Sequence, residues 1–314
     1  MSLCWLLPGN GVFTGSACRL PQSNKVKSTT MPYLLRTRWR QLLVALAMLL
    51  TTVSWALTMN SEFWSITYTF ESPLTIVIWV LCLVATLCLL ISKYGALPRH
   101  MMFNPIMGMA VNLIFGSLVM GTNIPFYFDT IGTMVIAILY GPVLGMATGV
   151  GATVVASSFA AYPLAFNPVA ILVGFLFGVL GDRNFFRYVT GTIATGLVGG
   201  MLCGMVSVYP LIFSFGNSDG VGRPGLLLYF QLITGDERLA IICQALLSHS
   251  VDKAFTLLLA CTLIRFAPIA LRTYFVFSGN RSIVEHIFQE SVDNNGYSGV
   301  AYRGNRAFDR HLGS

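Results

Sequence analysis

The sequence predicts an all-α protein, a polytopic membrane helix bundle with about eight transmembrane helices. Of its 314 residues, 55% are hydrophobic and only 10% are charged, and the mean hydropathy is +0.72. A soluble domain carries roughly 25% charged residues. Helices in lipid satisfy their own backbone hydrogen bonds, so apolar runs predict the spans. Their approximate cores are 42–59, 74–91, 105–120, 130–141, 143–161, 168–181, 188–213 and 239–266.

Several of these runs are shorter than the ~20 residues that a perpendicular span requires. The runs 130–141 and 168–181 are short enough to be tilted or partly re-entrant. The number of spans is therefore predicted to within about one pair of helices.

The two ends of the chain differ in composition from the apolar runs. Residues 1–41 are expected to be a basic, mostly disordered segment, and Met31 is an alternative start. Residues 1–30 do not resemble a signal peptide, because they lack a basic amino-terminal region and glycines interrupt their apolar residues. Residues 275–314 are expected to form a polar, mostly disordered tail, with a possible short amphipathic helix at Ile283–Phe288.

Basic residues between the runs predict the orientation. Loops that are rich in Lys and Arg stay in the cytoplasm. This rule places both termini in the cytoplasm and puts Asp129 and the loop 214–238 outside, as in a bacterial-type inner membrane. The net charge of +7 is explained by these positions, and no nucleic-acid partner is expected. The orienting residues are Lys25, Lys27, Arg36, Arg38, Arg40, Lys93, Arg99, Arg183, Arg187, Arg265, Arg272 and Arg281.

No sequence pattern indicates catalysis, a metal or a cofactor. The seven cysteines include no CxxC pair, and five of them lie in apolar runs, where a thiol is usually a small buried side chain. There is no P-loop, HExxH or GxSxG motif. We therefore expect no enzyme activity, no cofactor and no metal site, and any energy from ATP would have to come from another subunit.

Small residues at a spacing of four predict close helix packing. Such stripes let membrane helices approach each other, either within one bundle or against a partner subunit. In the stripe Gly108, Asn112 and Gly116, the asparagine is either a hydrogen-bonding residue of the bundle or part of a docking surface. The other stripes are Gly141, Gly145 and Gly149; Gly174 and Gly178; and Gly196, Gly200 and Gly204.

Charged residues inside the apolar runs are the strongest candidates for function. His249, Asp252, Lys253 and Thr256 share one face of the last helix. Ions at that depth are costly, so they should face the bundle interior or a water-filled cavity. They either fix helix register as a structural ion pair or line a binding site, and Asp129 is a candidate partner for Lys253.

Aromatic and amide side chains accompany Asp129 on the side predicted to be outside. Phe126 and Tyr127 come just before it, and they form either an interfacial aromatic belt or a wall over a flat ligand. Asn123 and Asn167 lie at helix ends on the same side, where loop or capping roles are the commoner explanation.

Residues 103–268 resemble the substrate-binding (S) component of energy-coupling-factor (ECF) vitamin transporters. The segment Phe128-Asp129-Thr130-Ile131-Gly132-Thr133 is similar to the family's Leu-Asp-x-x-Gly-Thr pattern. A Gly-Pro turn follows at 141–142, and Asp252-Lys253 with an apolar run to Pro268 is similar to the family's carboxyl-terminal pattern. The two spans at 42–91 and the polar tail are additions to this six-helix core.

The resemblance implies a substrate-capture subunit for a vitamin-like micronutrient. Its ligand would bind from the outside near Asp129, Thr130 and Thr133, and its partners would be a transmembrane coupling subunit and cytoplasmic ATPases. Two other hypotheses remain open: a membrane sensor built on the same bundle, and a stand-alone secondary transporter, which would be expected to contain an inverted repeat.

Overall fold

The computed structural model describes residues 30–59, 72–119, 127–213, 224–276 and 280–288. This part of the chain is all-helical and contains no strand. Each of the eight predicted runs forms a helix, and the described residues after 213 contain three further α-helices. The helices are α1 Thr30–Met59, α2 Pro73–Lys93, α3 Asn104–Val119, α4 Ile131–Tyr140, α5 Pro142–Ala156, α6 Asn167–Asp182, α7 Val189–Phe213, α8 Pro224–Thr234, α9 Glu237–Phe266, α10 Ile269–Phe275 and α11 Arg281–His286.

Six helices in the described residues are long and apolar enough to cross a membrane. They are α1, α2, α3 with the 3-10 turn before it, α6 with the 3-10 turn before it, α7 and α9. The predicted runs 130–141 and 143–161 form only short helices, because the chain reverses at Gly141, whose φ is +84°. Pro142 then begins α5 at a position where its missing N–H is not needed.

Two segments are more ordered than the sequence indicated. Helix α1 already begins at Thr30, so the part of the basic segment from residue 30 to 41 is helical rather than disordered. The predicted outer loop 214–238 contains α8, an apolar helix packed against the start of α9. Leu228, Leu232 and Ile233 on α8 are exposed.

The glycine stripe of α7 packs against α9. A Cβ atom added to Gly200 would lie 2.3 Å from the carbonyl oxygen of His249, and one added to Gly196 would lie 2.4 Å from the Cα of Ala254. Real Cβ atoms do not approach so closely, so these glycines let two backbones touch. The stripe therefore belongs to the bundle interior, and the contact holds the polar face of α9 in position.

Helices α3 and α4 make an even closer contact. A Cβ atom on Gly132 would lie 2.0 Å from the carbonyl oxygen of Gly108. Nine of the ten residues of α4 are buried, so this short helix is surrounded by protein. The small residues at 108 and 132 thus allow α4 to lie in the centre of the bundle.

Replacing Gly132 with alanine should separate α3 from α4, because the added methyl group meets backbone rather than a movable side chain. Overpacking of this kind costs about 1–3 kcal/mol. Gly225→Ala is the matched control, since an added Cβ there has no atom within 4 Å. Thermal unfolding of the purified protein measures both variants, and equal melting temperatures would contradict the predicted contact.

The segment that follows α9 folds back and contacts the carboxyl-terminal end of α4. The Tyr140 hydroxyl donates to the Phe275 carbonyl at 3.1 Å, and Asn280 Nδ2 donates to the same oxygen at 3.0 Å. The Phe288 N–H donates to the Phe186 carbonyl at 3.1 Å. The short helix predicted at Ile283–Phe288 overlaps α11, which extends from Arg281 to His286. Residues 289–314 lie outside the described part.

Helix α4 has the length of half a membrane span. Its ten residues extend about 15 Å, against a hydrocarbon core of about 30 Å. Helix α4 begins beside Lys253 of α9. Along the axis of α9, Lys253 lies about 24 Å from the start of that helix and about 20 Å from the end of that helix. Helix α4 ends at Tyr140, which bonds to the segment that follows α9. The amino terminus of α4 is therefore near the middle of the bundle's depth.

Candidate functional site

An ion cluster lies where α4 begins beside α9. Lys253 Nζ is 2.6 Å from Asp252 Oδ2, 3.0 Å from the Thr130 hydroxyl oxygen and 3.4 Å from Asp129 Oδ1. Its side chain is almost completely buried, and these three acceptors match the three N–H donors of an ammonium group. The predicted pairing of Lys253 with Asp129 is present, and Asp252 is a second partner.

Asp252 also holds the chain that leads into α4. Its Oδ1 accepts hydrogen bonds from the backbone N–H groups of Tyr127 at 2.8 Å and Phe128 at 3.0 Å. Phe128 has a φ of +51°, a left-handed conformation that is uncommon for a residue with a side chain. The fully buried carboxylate thus fixes an unfavourable backbone turn beside Asp129.

Asp129 is the exposed member of the cluster. Its side chain is 56% exposed, whereas those of Asp252 and Lys253 are 0% and 2% exposed. The sequence predicted an outer mouth for Asp129, and its contact with Lys253 lies near the middle of α9. A carboxylate exposed at that depth has to face water, a ligand or another protein rather than lipid.

Asn112 supports α4 from the neighbouring helix α3. Its Oδ1 accepts from the N–H groups of Gly132 at 2.7 Å and Thr133 at 3.2 Å, and its Nδ2 donates to the Thr133 hydroxyl at 2.7 Å. The first N–H groups of a helix have no partner inside that helix. Asn112 therefore caps α4, and the predicted site residue Thr133 belongs to this capping contact.

The stripe of Gly108, Asn112 and Gly116 serves the bundle interior. Gly108 packs against α4, and Asn112 caps it. Of the two roles that the sequence left open for Asn112, these contacts fit the hydrogen-bonding residue inside the bundle. Gly116 lies beside Asp129. A Cβ atom added to Gly116 would lie 3.5 Å from the Cβ of Asp129. The exposed residues of α3 lie elsewhere on the helix and include Ile106, Met107, Ile114 and Leu118.

Asn167 is not part of the candidate site. It is completely buried and donates from Nδ2 to Cys82 Sγ at 2.6 Å, while its Oδ1 is hydrogen-bonded by the Thr153 hydroxyl. Cys82 in turn donates to the Ser54 hydroxyl at 3.4 Å. This polar network joins α1 and α2 to α5 and α6, so the ligand role predicted for Asn167 is corrected to a structural one.

A stripe of buried polar residues continues from the cluster along α9. Gln244, Ser248, Asp252 and Thr256 recur every four residues, and all four are buried. Four buried atoms on this face of α9 have no hydrogen-bond partner among the described residues: Gln244 Nε2, Ser248 Oγ, His249 Nδ1 and Thr256 Oγ1. Buried polar atoms are nearly always hydrogen-bonded, so these four atoms require partners beyond those that the described residues supply.

Gln244 and Ser248 were missed by sequence reasoning, although their spacing from Asp252 was the signal. The predicted residue His249 lies against Tyr127, with ring centroids 5.2 Å apart and planes inclined by 22°. This stacking connects the α9 stripe to the segment before Asp129. The structure thus brings Tyr127, Asp129, Thr130, His249, Asp252 and Lys253 together. Asn123 and Phe126 lie outside the described residues.

An apolar cavity of about 450 Å³ lies on the other side of the α4 amino terminus. It runs along α4 between α3 and the carboxyl-terminal end of α9. Ile131 lines it next to the ion cluster, and Val276 and Val284 line it at the far end. The cavity is lined by the carboxyl-terminal end of α9, whereas the polar stripe occupies positions 244–256 of the same helix.

The described residues contain no group of three or more His, Cys, Asp or Glu side chains that could hold a metal ion. The chain was also compared with models of known protein families, with curated proteins and with solved structures, and none of the three comparisons found a match.

Proposed function

We propose that this integral membrane protein is the substrate-capture subunit of an ECF-type importer for a vitamin-like micronutrient, and that Asp129 meets the substrate. The observation that carries the proposal is the exposed Asp129 carboxylate, held by the buried Lys253 at the middle of α9. A purely structural ion pair at this depth would be expected to bury both partners.

The surroundings of Asp129 support a binding role. A site that recognises a polar molecule provides a few fixed hydrogen-bonding groups on a rigid support. Here Asp252 and Asn112 fix the backbone on either side of Asp129. Ser248 and His249 each have a buried atom that no described residue hydrogen-bonds. The resemblance of residues 128–133 to the S-component pattern agrees with this arrangement.

A second candidate is a stand-alone secondary transporter, and the half-span helix α4 favours it. Discontinuous helices that begin near the bilayer midplane commonly bind substrates and coupling ions in such transporters. Reconstitution of the chain alone in vesicles distinguishes the two functions. Uptake driven by an ion gradient without ATP supports the second candidate, whereas an ATPase that co-purifies and is required for uptake supports the first.

Replacing Asp129 with asparagine should reduce uptake at least tenfold, about 1.4 kcal/mol, with little change in protein level. The substitution keeps the shape of the side chain and removes its charge, and Asp129 is exposed. The molecule retained by the purified protein is identified by native mass spectrometry, and its uptake is then measured in cells.

Two variants control this measurement. Asp129→Glu keeps the charge and should keep most of the uptake. Asp182→Asn removes an exposed carboxylate at the end of α6 and should have no effect. Full uptake by Asp129→Asn would exclude Asp129 from the site.

A further inference from the structure

The charges of the ion cluster, counted over the residues that the structure describes, do not cancel. Asp129 and Asp252 contribute two negative charges and Lys253 contributes one positive charge, so the sum is −1. His249 adjoins the cluster and is uncharged at neutral pH in its ordinary state. Net charge at this depth in a membrane is unfavourable, and a positive charge nearby would compensate for it.

The position that remains available for a positive charge is at Asp129. Asp252 uses one carboxylate oxygen for Lys253 and the other for two backbone N–H groups. Asp129 is bonded only to Lys253 among the described residues, through one oxygen at the long distance of 3.4 Å. Its other oxygen and most of its surface remain available, which matches its 56% exposure.

An anionic group finds no comparable anchor here. Lys253 is the cation of the cluster, its side chain is only 2% exposed, and its three N–H donors already have acceptors. A substrate carboxylate or phosphate would approach Asp129 at close range and be repelled.

A second, independent feature points to a ligand at the same place. His249 Nδ1 and Ser248 Oγ are buried and have no hydrogen-bond partner in the described part of the chain. The His249 ring stacks on Tyr127, two residues before Asp129. Ser248 lies one helical turn from Asp252 on the same side of α9. A molecule bound at Asp129 that extends toward this turn would supply the missing hydrogen bonds.

We propose that Asp129 binds a positively charged nitrogen of the substrate, and that Ser248 and His249 hydrogen-bond a polar group elsewhere on the same molecule. The substrate class is then a small organic cation, such as a protonated amine or a cationic nitrogen heterocycle. This inference rests on the proposed substrate-capture function and adds the charge of the substrate to it.

Three probes of nearly equal shape test the charge. The 1-methyl-3-carbamoylpyridinium ion is positive, 3-methylbenzamide is its neutral isostere, and 3-methylbenzoate is negative. Binding to the purified full-length protein is measured by calorimetric titration. We expect the cation to bind at least about tenfold more tightly than the neutral isostere, which is about 1.4 kcal/mol, and the anion to bind most weakly.

Three variants assign the preference to Asp129. Asp129→Asn should bind the cation and the neutral isostere equally, and Asp129→Glu should keep the preference. Ser248→Ala should weaken both probes to a similar extent and leave the preference unchanged. Melting temperatures show whether each variant is folded.

Several outcomes would overturn the inference. A neutral or anionic probe that binds as tightly as the cation would do so, and so would a preference that persists in Asp129→Asn. If the small molecule retained by the protein carries no positive charge, the inference fails while the capture function stands. If none of the probes binds and the purified protein retains no small molecule, both proposals fail.

Discussion

Replacing Asp252 with leucine should prevent the protein from folding stably in the membrane. Among the described residues, the change leaves Lys253 with the exposed Asp129 as its only carboxylate partner. Breaking one side of a buried ion pair costs about 3–5 kcal/mol. The Tyr127 and Phe128 N–H groups also lose their acceptor, at about 1–3 kcal/mol each. This total is comparable to the whole stability of a typical domain, about 5–15 kcal/mol.

Two further variants separate charge from hydrogen bonding at this position. Asp252→Asn removes the charge but retains a carbonyl acceptor, so it should be destabilised less than Asp252→Leu. Lys253→Met alone should also destabilise the protein, because it leaves Asp252 as an unpaired buried charge. The double variant Asp252→Leu with Lys253→Met should be more stable than the sum of the two single effects predicts.

The yield of folded protein and its thermal unfolding in detergent measure these effects. Asp129→Asn is the matched control, because it changes an exposed carboxylate of the same cluster. If Asp252→Leu unfolds within about 1 kcal/mol of the natural protein, Asp252 does not have the role that its contacts indicate.

Replacing Asn112 with leucine should produce the second-largest loss of stability. The side chain keeps its approximate volume, but the Gly132 and Thr133 N–H groups lose their acceptor. Two unpaired buried N–H groups cost about 2–6 kcal/mol together, and water is scarce at this depth to replace the bonds. We expect α4 to lose its position, and ligand binding at Asp129 to be lost with it.

Thr133→Val and Ser117→Leu provide the comparison for Asn112→Leu. Thr133→Val removes only the acceptor of Asn112 Nδ2, so its cost should be about 1–3 kcal/mol. Ser117 lies exposed on the same helix, so Ser117→Leu should leave stability unchanged. Equal melting temperatures for Asn112→Leu and Ser117→Leu would mean that the cap contributes nothing. Hydrogen exchange of the α4 amides locates the change.

Hydropathy predicted the helices because burial in lipid is a local requirement that every spanning segment has to meet. The eight apolar runs were found in this way, and the short run at 130–141 already indicated an incomplete span. Helical periodicity also placed His249, Asp252, Lys253 and Thr256 on one face, since that face depends on spacing alone.

The same local reasoning failed where a hydrogen bond joins distant parts of the chain. Nothing in the residues near Asn167 indicates Cys82 as its partner, and the capping of α4 by Asn112 crosses between two helices. Helix α8 was missed because it lies in the segment 214–238, which the distribution of charged residues assigned to an outer loop.

The sequence alone therefore determined that this is a helical membrane protein with charged residues inside its apolar segments. Only the tertiary structure decided that Asp252 is buried and bonded while Asp129 is exposed. The two carboxylates have the same chemistry, and their difference arises from contacts made across 124 and 125 residues of chain. Such contacts depend on the packing of α4 against α3 and α9, and no local pattern encodes that packing.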